Sequence, residues 1–406
     1  MISQQLNEAI TRIGPDSDAG TVLRHYWQPA ALSDELTGDF PVPVNLMGER
    51  LALVRGADGA LALKTRIASS DEPATHHPKS ADIRVKADAP TYPVIEQSGV
   101  VFAYMGPGSA PKLPNFDCFR APGSHTFAFK GLWRCNWLQA LEIGIDPAHA
   151  SFLHRFLEDE DPADSYGKQF RDKAAHTDMP MTQVLREYPR PEIQVDEMDY
   201  GLKITALRHM QGDLTHVRIT NQIFPQAICI PMSREMTITQ WHVPVDDVTC
   251  YWYTIFTSFN APVDKALMRQ QRLKEHSLPD YAPLKNAANH YHYDPAEQAT
   301  TTYTGMGPDI NVHDQWAVEG MGAIQDRTQE HLGRSDVAII RYRRMLRQAI
   351  HSVTEGTARD LPMQGPVASI LGPLSNDAIA DTANWQSASH DADLARRSAC
   401  PWDASV

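Results

Sequence analysis

The run Glu142-Ile-Gly-Ile-Asp146-Pro-Ala-His149-Ala-Ser-Phe-Leu-His154 gathers two imidazoles and two carboxylates in the spacing E-x3-D-x2-H-x4-H. Two neutral histidines joined by one further carboxylate form the facial triad that holds a non-heme Fe(II) with positions left open for oxygen and substrate. The same donors also suit Zn²⁺ and hydrolytic chemistry. His-x4-His alone carries little weight, because 17 histidines in 406 residues give roughly 0.7 such pairs by chance. The two acids upstream add the weight. Geometry sets a condition: on a regular helix Asp146 and His149 share a face, but His149 and His154 point roughly 140° apart. Both reach one metal only if the helix is distorted or ends between them. Pro147 suits an early helical turn, where its missing N–H leaves no bond unmade.

The elements that must position these residues read as follows. A short helix, a Gly14-Pro15 break and Tyr26-Trp27-Gln28-Pro29-Ala30 entering a strand open the chain. Val42-Pro-Val-Asn-Leu-Met47, Leu51-Ala-Leu-Val54 and Leu61-Ala-Leu63, separated by a Gly48 turn and an Ala57-Asp58-Gly59 turn, predict a meander. Residues 65–81 are polar and proline-bearing, hence loop. Strands return at Ile83–Val85, Tyr92–Ile95 and Val100–Tyr104, and the Gly106-Pro107-Gly108 stretch to Pro114 reads as a connection between domains 1–115 and 116–406. Phe127 to Trp137 is a strand running into the helix that carries the metal run. A polar stretch follows at 157–180, then strands from about 182 to 258. Helices are expected at 263–276 and 335–354, the second capped by Ser335, with Ile339, Leu346, Ile350 and Val353 at helical spacing. Arg341, Arg343, Arg344 and Arg347 on that helix read as a solvated or interface face. An antiparallel sheet with helices after a small β domain is an α+β architecture.

Composition narrows the function. Hydrophobic residues make up 42% and charged ones 21%, the balance of a globular enzyme. A net charge of -13 without a Lys/Arg run argues against nucleic acid as partner. No apolar run approaches a membrane span, and the first residues lack the basic and apolar regions of a secretory signal, so the expected location is the cytoplasm. Cys118, Cys135, Cys229, Cys250 and Cys400 show no paired spacing and are expected to be reduced thiols.

Leu132-Trp-Arg-Cys-Asn-Trp-Leu-Gln-Ala-Leu-Glu142 leading into the metal run, and Tyr104-Met-Gly-Pro107 upstream, resemble Rieske non-heme iron oxygenase α-subunits. So does Asp314-Gln-Trp-Ala-Val-Glu-Gly-Met-Gly-Ala-Ile-Gln-Asp326-Arg-Thr-Gln-Glu-His331-Leu-Gly-Arg-Ser-Asp336. The likeness covers nearly the whole chain and points to the branch that includes phthalate 4,5-dioxygenase and 5,5'-dehydrodivanillate O-demethylase. It implies a START-like, helix-grip catalytic domain at 116–406 behind a Rieske-type β domain. The implied activity is O₂-dependent hydroxylation, dihydroxylation or O-demethylation of an aromatic acid at mononuclear Fe(II). The implied partners are a flavin- or ferredoxin-type reductase and further subunits, in a homotrimer or a mixed oligomer.

By this resemblance His149 and His154 are iron ligands and Asp314 supplies the carboxylate, with Asp326 as the alternative. Asp146 bridges between a cluster histidine of one subunit and an iron histidine of the next. A carboxylate accepting a histidine N–H orients the ring, and the plainer reading of Asp146 is an acid favoured at a helix start. Glu142 and Asn136 serve the electron path or the pocket rim, or are structural. Arg218, Asn221, Phe224 and His242 fall on strands that line the substrate cavity in this fold type. His290 and His292 belong to a surface or lid segment.

One departure stands out. Relatives in this family bind a [2Fe–2S] cluster through C-x-H and C-x2-H, yet no cysteine precedes Cys118, and His76 and His77 lack the spacing. The flanking strands survive, and roughly 45 residues of the family layout are missing between Lys64 and Ser70. Ser69 and Ser70 are no substitute for soft thiolate ligands. The expectation is a remnant β domain without a cluster, with electrons supplied by a cluster-bearing subunit. The alternative is a non-enzymatic small-molecule binder or an inactive relic of the same fold.

Overall fold

The computed structural model describes residues 1–37, 41–56, 58–69, 71–73, 75–158, 179–233, 235–365 and 367–405. Most of the polar stretch expected at 157–180 lies outside these residues. So do Ala57 of the second hairpin turn, and Ser70 and Ala74 of the segment after the gap.

Two sheets form the N-terminal part. Val42–Leu46, Glu49–Arg55, Leu61–Thr65 and Thr91–Tyr92 pair in that order, and Trp27–Leu32 pairs with Val100–Tyr104, which pairs with Val94–Gln97. In the first strand Val42, Val44 and Leu46 are buried while Pro43 and Asn45 are not, the period of two that a strand covered on one face imposes. Met47 and Gly48 link it to the next strand with φ of 53° and 78°, positive at both positions as a tight type I′ hairpin turn requires. The strand expected at Ile83–Val85 does not form. Ser80–Asp82 is a short helical turn, Arg84 bonds the nearby carbonyls of Ala81 and Ile83, and only Val85 bridges to Arg66.

The C-terminal part is built on an eight-stranded antiparallel sheet. Its path runs Glu192–Met198, Gly201–His209, Leu214–Ile223, Ala227–Ser233, Met236–Asp246, Thr249–Ser258 and Thr126–Trp133, with Asn376–Asp381 also pairing with Leu214–Ile223. All ten residues of Thr249–Ser258 are buried, so this strand is covered on both faces. On one side Tyr253 donates to the Ala30 carbonyl of the N-terminal part, 3.1 Å away. The tip of the first hairpin also adds to this sheet, the amides of Met47 and Gly48 donating to the carbonyls of Pro244 and Val245. One hydrophobic core therefore holds Leu23, Leu51 and Phe102 together with Leu132, Trp137 and Leu346.

Helices Trp137–Gly144 and Val337–Thr354 pack on the sheet. The second begins after a short turn at Arg334–Asp336, so Asp336 and not Ser335 stands at its start. Its arginines divide. Arg341 is exposed and lies 3.7 Å from Glu197, whereas Arg343 is buried in an ion-pair cluster, which corrects its expected place on a solvated face. Several elements have no counterpart in the sequence reading, among them strand Asn376–Asp381 and helices Pro295–Thr300, Ile310–Gly320 and Trp385–Ser398.

Candidate metal centre

Helix Trp137–Gly144 aims the chain at the centre. Asn136 caps it, its Oδ1 accepting from Leu138 N at 3.1 Å, while its Nδ2 donates to the carbonyls of Thr11 and Asp247. Glu142 is buried and accepts from Arg327 at 2.8 Å and from Arg343 at 3.0 Å. Burial alone would raise its pKa, but the two guanidiniums outweigh that and hold it below the usual range. Both side chains are committed to packing this helix, and neither joins the metal donors. These bonds fit the structural reading of the two residues, and their catalytic or electron-path role stays an expectation.

Gly144 ends that helix where the backbone presses on the sheet: a Cβ there would meet Ile228 at 2.7 Å and His242 at 3.7 Å. The chain then turns through Asp146-Pro147 into a single helical turn, Ala150–Leu153, with His149 before it and His154 just past its end. This ending resolves the angular conflict of the i, i+5 spacing. His154 has left helical geometry (φ -97°, ψ 22°), so its ring swings back toward His149.

The third donor arrives from far along the chain. Helix Ile310–Gly320, capped by Asp309, carries Asp314 to the two rings. The Nε2 atoms of His149 and His154 are 3.1 Å apart, and Asp314 Oδ1 lies 3.6 Å and 3.2 Å from them. Among the described residues this is a group of three potential ligands whose donor atoms all fall within 4.8 Å of one another. Donors in adjacent positions about 2.1 Å from one metal would be about 3 Å apart, close to these edges. The side chains keep 16%, 11% and 17% exposure, which leaves room for further ligands.

The donors are in the right chemical state. His149 Nδ1 donates to the Asp146 carbonyl, which fixes the tautomer and leaves Nε2 as a lone pair. Burial favours the neutral ring of His149 against the opposing pull of Asp314. Burial likewise pushes the Asp314 carboxyl up to about 6, partly offset by His149 and His313. Its Oδ1 is buried without a hydrogen-bond donor, as expected of an atom placed to meet a cation.

Asp326 is excluded from this group. It lies on the surface and accepts from the amide and hydroxyl of Thr328. Asp146 is next to the centre, in the helix-start place of the plainer reading. Its carboxylate caps the following turn, accepting from Ala148 N at 2.8 Å and His149 N at 3.1 Å. The atom that orients His149 is the Asp146 carbonyl.

Two residues went unnoticed in the sequence. His313 stacks on His154, ring centroids 5.8 Å apart, with Nε2 2.8 Å from the Gly307 carbonyl. Burial holds its pKa near about 4, and its place beside Asp314 was the available signal. Arg208, 1% exposed, donates to the Pro147 carbonyl at 3.1 Å and Ser151 Oγ at 3.2 Å, bracketing His149.

The expected cavity residues separate. Arg218 shares a face with Arg208 and pairs with Asp377. Asn221 is buried between the Leu374 carbonyl and the Tyr200 hydroxyl. His242 is buried beneath Gly144, and burial pulls its pKa down to about 3. Phe224 packs edge-on against Tyr26. His290 lines a separate surface pocket with Tyr293, Tyr303 and Trp316.

The residues present do not fit a [2Fe–2S] cluster. Where its loops would join the N-terminal sheet, Arg66, 3% exposed, is locked to Glu72 and to Asn45 Oδ1. His77 sits 3.4 Å from the Tyr251 hydroxyl. All five cysteines are free thiols, each at position 118 or later.

The family model described as LigXa C-terminal domain like matches residues 103–389. Over 88% of this chain and 88% of its own length, the phthalate 4,5-dioxygenase oxygenase subunit of Pseudomonas putida is 27% identical. The 5,5'-dehydrodivanillate O-demethylase oxygenase subunit of Sphingobium sp. (strain NBRC 103272 / SYK-6) is 26% identical over 93% of this chain and 86% of that protein. The tert-butanol monooxygenase / tert-amyl alcohol desaturase oxygenase subunit of Aquincola tertiaricarbonis is 26% identical, over 85% and 76%. The chain belongs to the LigXa C-terminal-domain-like family, among the Rieske-type oxygenases, and is an oxidoreductase of that type. None of its described helices is long and apolar enough to cross a membrane.

Proposed function

We propose that this chain is an oxygenase subunit that holds one Fe(II) through His149, His154 and Asp314 and oxidises an aromatic acid with O₂. The observation that carries the reading is the convergence of these three donors from two distant segments. Bound there, Fe(II) supplies the redox centre at which O₂ is activated. The protein's own part is positional. The Asp146 carbonyl holds the His149 tautomer, His313 backs the His154 ring, and burial keeps the His149 imidazole neutral and ready to ligate.

Relatives named for phthalate, dehydrodivanillate and 3-chlorobenzoate support an acid as substrate, and so does Arg208, whose Nε and Nη1 are buried without an acceptor. The reaction is hydroxylation, dihydroxylation or O-demethylation. With no cluster ligands of its own, the chain takes electrons from a partner, a cluster-bearing subunit served by a reductase, in a homotrimer-like or mixed assembly. The catalytic unit spans 116–406, and 1–115 is the shortened β domain that packs against it.

Iron analysis combined with single turnover driven by peroxide tests the proposal. About one iron per chain and an oxygenated aromatic product are expected. Protein reconstituted with Fe(II) that retains no iron and forms no product would overturn it.

A further inference from the structure

The strands Gly201–His209, Leu214–Ile223 and Asn376–Asp381 lie side by side, pairing Arg208 with His216 and Arg218 with Asp377. Residues opposite one another in an antiparallel pair share a face, so Arg208, His216, Arg218 and Asp377 form one polar stripe. The other face carries Leu207, Val217 and Ile219 against Leu374 and Trp385. The polar face is the one under the metal turn, because Arg208 reaches Pro147 and Ser151 on either side of His149.

Within the stripe the bonds are unequally shared. Asp377 receives His216 Nε2 at 2.5 Å on one oxygen and Arg218 Nη1 on the other, and Arg218 Nη2 donates to the Pro231 carbonyl at 2.8 Å. Arg208 Nε, Arg208 Nη1 and His216 Nδ1 are buried and meet no acceptor. Burial lowers Arg208 only to about 10, so it is charged at neutral pH. Asp377 and Asp146 both lie close enough to favour that charge, but the oxygens of Asp377 are taken by His216 and Arg218 and those of Asp146 by the amides of Ala148 and His149. Two guanidiniums thus face one carboxylate within the stripe, and the unmet donors belong mainly to Arg208. A guanidinium buried with free donors calls for an anion with two acceptor oxygens.

We infer that Asp377 sets the charge of the accepted substrate, by neutralising Arg218 and leaving Arg208 to bind a ring that carries one anionic group and not two. One carboxylate completes Arg208. A second carboxylate on the same ring would face Asp377 with no free cation in the stripe, and like charges at close range repel. This inference rests on the aromatic-acid reading of the metal centre and narrows it.

The test is calorimetric binding to the iron-loaded full chain without oxygen. The ligands are phthalate, isophthalate and terephthalate, their monoamides and their diamides, series that keep shape and change charge. For the substitution pattern that fits, the monoamide is expected to bind at least about tenfold tighter than either the dicarboxylate or the diamide. Asp377→Asn should raise dicarboxylate affinity relative to the monoamide by about the same factor. Arg208→Gln, checked for native melting, should bring the monoamide down to the diamide. A dicarboxylate that binds as tightly as its monoamide overturns the inference and leaves the aromatic-acid reading standing. A monoamide preference that survives Arg208→Gln overturns it too, even if Asp377→Asn does not fold. Diamides binding tighter than every acid would sink the aromatic-acid reading itself.

Discussion

Replacing Glu142 by glutamine separates a structural carboxylate from a catalytic one. The side chain is buried and accepts from both Arg327 and Arg343. Glutamine keeps the volume and removes the charge, so two buried guanidiniums lose their shared counter-ion. Arg343 retains Glu330, but Arg327 keeps only the Asn7 side chain at 3.2 Å. Removing one partner of a buried pair costs about 3–5 kcal/mol. Unfolding entropy of about 2.1 cal/mol/K per residue over 406 residues converts this into a fall in Tm of roughly 4–6 °C. Scanning calorimetry gives the shift, and iron analysis on the same preparation gives the metal content. The expected outcome is a lowered Tm with iron retained, because no metal donor depends on this carboxylate. If Glu142→Gln melts within about 1 °C of the parent and loses turnover, the carboxylate serves chemistry and the reasoning is refuted.

Other perturbations address the donors and their supports. Asp314→Ala should abolish iron retention while Asp326→Ala leaves it intact, and iron stoichiometry after gel filtration decides between them. Asp146→Asn should hold iron nearly as well as the parent, since asparagine also caps and the orienting atom is the main-chain carbonyl. Asp146→Ala, without the cap, should lose about 1 kcal/mol of stability in denaturant titrations. His242, with its pKa depressed to about 3, favours the fold while neutral. The unfolded chain binds the proton first as pH falls below about 6.5, so stability drops from there down toward the folded value. Between pH 7 and pH 5 the parent should lose about 2 kcal/mol that His242→Gln does not lose. Equal losses in urea unfolding would show that His242 is not the group responsible.

The sequence was most readable where one local pattern implied one geometry. The alternation in Val42–Leu46, the strand-to-helix passage before Glu142 and the need for the helix to end before His154 all follow from nearby residues. Asp314 could be nominated only through family likeness, because its helix, Ile310–Gly320, has weak amphipathic patterning and was not anticipated. Strand Ala227–Ser233 fell within the expected strand region without bounds of its own, because Pro225 and Pro231 argue against a sheet interior, although Pro231 sits at a register irregularity in its pairing. Asn376–Asp381 was hidden for another reason: it is short, carries Asp377 and Asp381 within it, and gains its place through pairing with Leu214–Ile223. The roles of Glu142 and Arg343 were invisible because an ion pair separated by 201 positions leaves no spacing to read.

On the proposed reading, a domain without cluster loops must hold the ends of its sheet by other means. A metal cluster ties strands together, and without one the ends of the sheet need another tie. Arg66 supplies it from within, buried against Glu72 and Asn45, while Arg50 donates to the Glu72 carbonyl at 2.8 Å. A charged pair this well enclosed stabilises only when its hydrogen bonds are largely met. A decaying domain would be expected to expose such groups to water instead. The hairpin tip at Met47 and Gly48 still bonds the catalytic sheet, so the shortened domain remains joined to the part that holds the metal donors. Under the proposed function, the fold keeps the three metal donors and their support together while electrons come from a partner.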